Sequence, residues 1–310
     1  MGTPPIEILI LFSASMGTPP IEILILRNPA MSTQQRGATF EIGAHTLFIS
    51  AENGTEYAID VRVPLSYASG DRRYPVIYVL DSNLMFGTAI EYVGVAEFTG
   101  ELPETIAVGI GYRDPSLASV IGQRRRDFTL AEDEDVYEKL RASAPQLPPS
   151  RGSGKAPVFS DHLRKLIVPE IESKYRVDPE RRILFGDSLA GGFGAYLLLT
   201  HPEAFSGYVL GSPAIVQADG LLFTLEEQFA ATHEDLRARV YMSVGSLEEP
   251  SMLSGVRELC DRLRQRKYPS LHLTERVFEG ETHTSALSRN FMHGVRAMLC
   301  TKFGQGECAG

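Results

Sequence analysis

Arg182-Ile-Leu-Phe-Gly-Asp-Ser188-Leu-Ala-Gly-Gly-Phe-Gly-Ala-Tyr-Leu-Leu-Leu-Thr-His201 is the stretch that decides the fold. A short apolar run, Ile183 to Phe185, stops at Gly186, and after Ser188 the apolar residues Leu189, Phe193, Tyr196, Leu197 and Leu199 take up helical spacing. A change of period from 2 to about 3.6 marks a strand feeding straight into a helix. Gly186, Ala190, Gly191, Gly192 and Gly194 crowd the junction with small residues. A nucleophile elbow needs that, because a serine on a tight strand-to-helix turn leaves its neighbours no room for side chains. Such a serine sits at a helix N-terminus, where free N–H groups and the positive dipole end favour a developing oxyanion. The usual pattern is G-x-S-x-G, and here it reads Gly186-x-Ser188-x-Ala190. Alanine is the smallest departure available, and the elbow survives it if φ at Ala190 is negative.

Downstream, strands and helices alternate. Apolar runs at Tyr208–Leu210, Val240–Gly245 and Leu271–Phe278 read as strands, with helices at about 219–233, Met252–Arg266 and Ser285 to about Thr301. Upstream, Tyr74–Asp81 and Ile106–Tyr112 are continuous apolar runs, the mark of strands buried on both faces. Phe40–Ser50 and Tyr57–Pro64 alternate apolar and polar residues around Asn53-Gly54, which predicts an antiparallel hairpin. Phe159 to Arg176 has helical spacing. The pattern predicts a mostly parallel, doubly wound α/β sheet covered on both sides and preceded by a hairpin.

A serine hydroxyl is a poor nucleophile until a base removes its proton, and the base works best when a third group holds it. In elbow folds these partners follow later strands in the order serine, acid, histidine. Ser246-Leu-Glu248-Glu249-Pro250 follows the strand ending at Gly245, and Glu279-Gly-Glu281-Thr-His283 follows the strand ending at Phe278. The spacings, 60 residues (188 to 248) and 35 residues (248 to 283), are each about one α/β unit. Ser188, Glu248 and His283 are therefore the candidate nucleophile, acid and base, with Glu249 as the alternative acid. His283 is expected in a turn just before the final helix. The other histidines fit helix ends, helix faces or strand interiors. The oxyanion hole needs two backbone donors, expected from Leu189 and from Ser82 or Asn83 in the loop after Leu80. Phe86, which ends that loop, is a candidate substrate contact.

The totals narrow the classes. The 310 residues suit one large α/β domain, and the 43% hydrophobic content can build its core. A net charge of -9 argues against nucleic acid or an anionic membrane as partner. Three cysteines imply no disulfide framework, and seven scattered histidines show no metal spacing, so neither metal nor cofactor is expected. No apolar run approaches the roughly 20 residues of a membrane-spanning helix. Met1–Leu11 recurs identically as Met16–Leu26. Residues 1–36 are set apart as a duplicated leader, 37–304 as the hydrolase domain and 305–310 as a tail. The leader's Ile-Glu-Ile-Leu-Ile-Leu is strand-prone and could pair copies of the chain into a homo-oligomer. It lacks the basic start of a secretory signal, which makes the cytoplasm the expected location. Within the domain, residues 113–157 read as a lid insertion, with the acidic run Glu132–Asp135 on a solvated face.

Several separate motifs, in order, resemble the esterase-D-like superfamily of α/β hydrolases. They are Phe-Gly-Asp-Ser-Leu-Ala-Gly-Gly at the elbow, the helix end Leu-Leu-Thr-His-Pro-Glu-Ala-Phe, Gly211-Ser-Pro213, Tyr74 to Phe86, Arg125-Arg-Asp-Phe-Thr129, Val244 to Glu249 and Phe278 to His283. That group includes siderophore trilactone hydrolases, feruloyl esterases and mycolyltransferases. The resemblance implies Ser188 as nucleophile, His283 as base and an acid at Glu248, although some relatives work as a serine–histidine dyad. It also sets Arg126 beside the substrate, the alternative being an ion pair with Asp127. The expected activity is a serine carboxylic-ester hydrolase that acts through an acyl-enzyme on small or aryl esters. Alternatives are siderophore trilactone cleavage, acyl transfer to another alcohol, and a non-catalytic binding protein of the same fold.

Overall fold

The structure, a computed structural model, describes residues 44–300. The duplicated leader, the tail 305–310 and the first residues of the expected hairpin lie outside the described residues. Eight strands form one sheet: β1 (Ala44–Ser50), β2 (Glu56–Arg62), β3 (Tyr74–Leu80), β4 (Ile106–Tyr112), β5 (Val177–Asp187), β6 (Gly207–Gly211), β7 (Ala238–Gly245) and β8 (Leu271–Phe278). Their order across the sheet is β1-β2-β4-β3-β5-β6-β7-β8. β1 and β2 form the antiparallel hairpin, β2 also runs antiparallel to β4, and every later pairing is parallel.

The helices are α1 (Ser82–Phe98), α2 (Leu117–Phe128), α3 (Glu134–Ser143), α4 (Ala156–His162), α5 (Val168–Lys174), α6 (Leu189–Thr200), α7 (Gln217–Thr232), α8 (Pro250–Arg266) and α9 (His283–Leu299). A π turn, Leu163–Ile167, joins α4 to α5, so the single helix expected there is continuous but locally widened. Two apolar cores explain the layering. On one face, Met85, Ala89 and Val93 of α1 and Phe291, Val295 and Met298 of α9 pack against Ile77, Val79, Ile183, Phe185 and Val209. On the other face, α2 and α4 to α8 cover the opposite side chains of the same strands, with Phe128, Phe159 and Phe193 ring against ring. β3 and β4 are buried along their whole length, as continuous apolar strands between two helix layers must be.

Several expectations change: the expected loop after Leu80 is helical from Ser82 onward, and α8 starts at Pro250 rather than Met252. The run Glu132–Asp135 is not simply a solvated face: Asp133 and Glu134 both pair with the guanidinium of Arg125, which is buried. Arg125 also donates to Ser150 Oγ and to the Gly152 carbonyl, which ties segment 130–157 back onto α2. The final helix begins at His283, two residues earlier than the apolar spacing suggests. Thr282 caps it, since its hydroxyl accepts from the Ser285 N–H while the Ser285 hydroxyl accepts from the Thr282 N–H.

Candidate active site

β5 delivers Ser188 into a strained backbone at the N-terminus of α6, with φ 60° and ψ −120°. L-residues avoid this region unless their surroundings over-determine it. Three backbone hydrogen bonds do so here: Ser188 N–H donates to the Gly211 carbonyl at 2.9 Å, and the Ser188 carbonyl accepts from Gly192 N–H at 2.9 Å and Ala214 N–H at 3.0 Å. A Cβ on Gly186 would lie 2.3 Å from the Ala190 carbonyl oxygen, so the glycine is what lets the chain turn back over itself. Ala190 is buried within α6 and is not among the positive-φ residues, so the departure from G-x-S-x-G costs the elbow nothing.

His283 and Glu248 converge on this serine from the two loops predicted to supply them. His283 Nε2 lies 3.0 Å from Ser188 Oγ, and His283 Nδ1 lies 2.6 Å from Glu248 Oε2. As the first residue of α9, His283 leaves its ring half-exposed at the mouth of the site, while the Glu248 side chain is buried. The other Glu248 oxygen, Oε1, accepts from Ser212 Oγ at 2.6 Å and from Gly245 N–H at 2.7 Å. Burial alone would raise the Glu248 pKa, but the hydrogen bonds from His283, Ser212 and Gly245 pull it below its ordinary value. The bond to Glu248 raises the pKa of His283, and the negative charge of Glu248 adds to the effect. Glu249 instead occupies the N-cap position of α8, with its carbonyl accepting from Met252 N–H. This leaves Glu248 as the carboxylate that meets the imidazole.

The expected oxyanion segment sits at the start of α1, after a turn in which Asp81 takes a left-handed conformation (φ 56°). The first N–H groups of a helix lack an intrahelical acceptor, which applies to Ser82 and Asn83 in α1 and to Leu189 in α6. The side chains of both α1 residues are engaged elsewhere. Ser82 Oγ donates to Asp60, while Asn83 accepts from Tyr112 N–H at 2.8 Å and donates to the Tyr112 carbonyl at 3.1 Å. Phe86 is buried between α1 and β4, with its ring against the face of Gly109, and so packs in the interior.

The arginines of α2 separate by function because residues two apart on a helix point about 200° apart. Arg126 pairs with Asp127, Nε to Oδ1 at 2.7 Å and Nη2 to Oδ2 at 2.9 Å, the ion-pair alternative to a substrate contact. The same Asp127 accepts from the hydroxyls of Tyr57 and Tyr112. Arg124 faces the triad: it grips Asp81 and exerts its charge on both Asp187 and His283. The sequence shows three consecutive arginines, Arg124–Arg126, and nothing in it separates them by face. Asp187, Ser212 and Asn290 were also missed. They lie behind Glu248 in a buried hydrogen-bonded cluster.

The comparisons with known proteins bear on the family and the fold. The "putative esterase" family model matches residues 50–286. The ferri-bacillibactin esterase BesA of Bacillus subtilis is 33% identical over 226 residues, covering 69% of this chain and 75% of that protein. The siderophore triacetylfusarinine C esterase of Aspergillus fumigatus is 27% identical over 282 residues, covering 80% and 90%. Among solved structures, the BES protein from Bacillus cereus superposes with a TM-score of 0.73 at 28% identity, covering 87% of this chain and all of that one (100%). Siderophore hydrolase EstB from Aspergillus nidulans shares the fold, with a TM-score of 0.71 at 21% identity and coverage of 86% and 98%. With elbow, sheet order and relatives in agreement, the chain belongs to the putative-esterase family, among the esterase-D-like α/β hydrolases that cleave carboxylic esters.

Proposed function

We propose that this chain is a siderophore esterase that cleaves the ester bonds of a multi-ester iron chelator through an acyl-enzyme at Ser188. The observation that carries the mechanism is the alignment of Ser188 Oγ, His283 and Glu248 at 3.0 Å and 2.6 Å, with Glu248 Oε1 already saturated by two donors. His283 Nδ1–H is committed to Glu248, so the Nε2 lone pair faces the serine hydroxyl. Ser188 Oγ attacks the ester carbonyl carbon as its proton passes to His283 Nε2. The resulting imidazolium is favoured by the bond to Glu248. The carbonyl oxygen takes up negative charge beside the N–H groups of Leu189 and of Ser82 or Asn83. When the bond to the alcohol breaks, His283 returns the proton to the leaving oxygen. Water then attacks the acyl-enzyme, gives its proton to His283, and the acid departs as Ser188 recovers its own.

The substrate class rests on the relatives, two of which are named for siderophore ester cleavage, so this alternative takes precedence over the general aryl-ester reading. The test compares turnover of a catecholate trilactone, a hydroxamate triester and p-nitrophenyl esters, with products resolved by mass spectrometry and Ser188→Ala as control. Stepwise ring opening of one siderophore at a kcat/KM well above that on p-nitrophenyl acetate is the expected result. A clear preference for simple esters would return the chain to the general carboxylesterases.

A further inference from the structure

The polar cluster behind Glu248 has a fixed direction. Asp187, the residue before Ser188, accepts from Asn290 Nδ2 at 2.7 Å. The same amide nitrogen donates to Ser212 Oγ at 3.1 Å, and Asn290 Oδ1 accepts from Ser243 Oγ at 2.8 Å. Ser212 Oγ donates onward to Glu248 Oε1 at 2.6 Å. Ser212, Ser243 and Asn290 are wholly buried, and Asp187 is nearly so, so no water competes for these partners. Burial holds the Asp187 pKa at about 7, and once ionised above it the carboxylate can only accept. Asp187 therefore compels Asn290 to present its N–H groups, the second of these occupies the Ser212 oxygen, and the Ser212 proton has only Glu248 to go to. With the Asn290 amide turned over, Ser212 would donate to Asn290 instead and Glu248 would lose a ligand.

We infer that Asp187 and Asn290 are positioning residues of the triad: through Ser212 they set the direction of every proton behind Glu248 and so hold the carboxylate, and with it His283, ready to receive the Ser188 proton. This rests on the acyl-enzyme reading above. The fold makes room for the relay. A Cβ on Gly211 would lie 2.4 Å from Asp187 Oδ1 and 2.6 Å from Asn290 Cβ. Asn290 follows His283 on α9 by seven residues, about two turns, so the base and the relay amide ride on one rigid element. Asp187 is faced by His283 from α9, Glu248 from the loop after β7 and Arg124 from α2. Burial pushes its pKa up to about 7, with Glu248 adding to the rise and the Asn290 bond, His283 and Arg124 opposing it. It is also a second negative charge behind the imidazolium, and its influence raises the His283 pKa.

The experiment measures kcat, KM and the pH profile of kcat/KM on p-nitrophenyl acetate for Asn290→Leu, Ser212→Ala and Asp187→Asn, with thermal melting to check each fold. Asn290→Leu and Ser212→Ala should lower kcat about tenfold with KM within about twofold of the parent, since the loss falls on the proton-transfer step. Asp187→Asn keeps the shape but removes the charge, so the acid limb of the profile should move to lower pH as the His283 pKa falls. A kcat within about twofold of the parent in both relay variants, or an unmoved acid limb in Asp187→Asn, would overturn the inference. If Asn290→Leu does not fold, Ser212→Ala decides. Labelling with a fluorophosphonate separates the two readings. A parent chain left unlabelled at Ser188 removes the triad and the relay together, whereas a labelled parent with unaffected variants removes the relay alone.

Discussion

Arg124 grips Asp81 across 43 residues of chain with both arms of its guanidinium, Nε to Oδ1 at 3.0 Å and Nη2 to Oδ2 at 2.9 Å. Asp81 is the left-handed residue from which α1 springs, so the pair anchors the turn that carries the candidate oxyanion donors. Lysine supplies a point charge but not the two-pronged geometry. Arg124→Lys should lower kcat about tenfold on every ester, since oxyanion donors lose their worth when displaced. Arg124→Ala should also destabilise the fold by about 3 kcal/mol, because the buried Asp81 carboxylate loses its partner. Steady-state kinetics and denaturant titration would read the two effects separately.

Replacing Ser188 with alanine removes the only atom proposed to become covalently attached to the acyl group. Turnover should fall by about 10⁴-fold or more, and the phosphonate adduct should vanish from the mass spectrum.

The pH dependence follows from the direction of the His283 shift. The base must be neutral to act, and its pKa lies above the ordinary 6.5, chiefly because of the bond to Glu248. The acid-side loss of kcat/KM should therefore have its midpoint above pH 6.5. In Glu248→Gln the raising influence disappears, so the midpoint should fall while kcat drops by about 10²-fold or more through loss of tautomer control. A full pH–rate profile of both proteins checks the sign as well as the size.

Gly186→Ala and Ala190→Gly make a contrasting pair. The first drives a Cβ to 2.3 Å from a backbone oxygen and should yield little folded protein, while the second restores the commoner motif and should keep the parent's activity within about twofold. Soluble yield and kinetics of the two variants would show whether the elbow tolerates change on one side only.

The strand-to-helix turn at Ser188, the alternation of strands and helices, and the loops that bring Glu248 and His283 to Ser188 were legible because each leaves a local trace: a change of period, a cluster of small residues, a polar loop after an apolar run. Arg124 and Arg126 leave no such trace. They share composition and neighbourhood, and only the rotation of α2 sends one to Asp81 and the other to Asp127. Asn290 is similarly silent, an amide in a helix whose partners come from positions 103 and 78 residues away in sequence. The start of α9 was misread by two residues because apolar spacing locates a helix's buried face, whereas a Thr282 cap locates its end.

The placement of His283 and Asn290 on α9 also bears on when the protein becomes competent. α9 follows all eight strands of the described residues, and its Phe291 and Val295 are part of the core that covers β5 and β6. During synthesis or refolding, the sheet and the serine elbow can form while the base is still absent. On the proposed mechanism, esterase activity stays silent until that helix docks, which makes the return of turnover a direct clock for the closing of one face of the sheet.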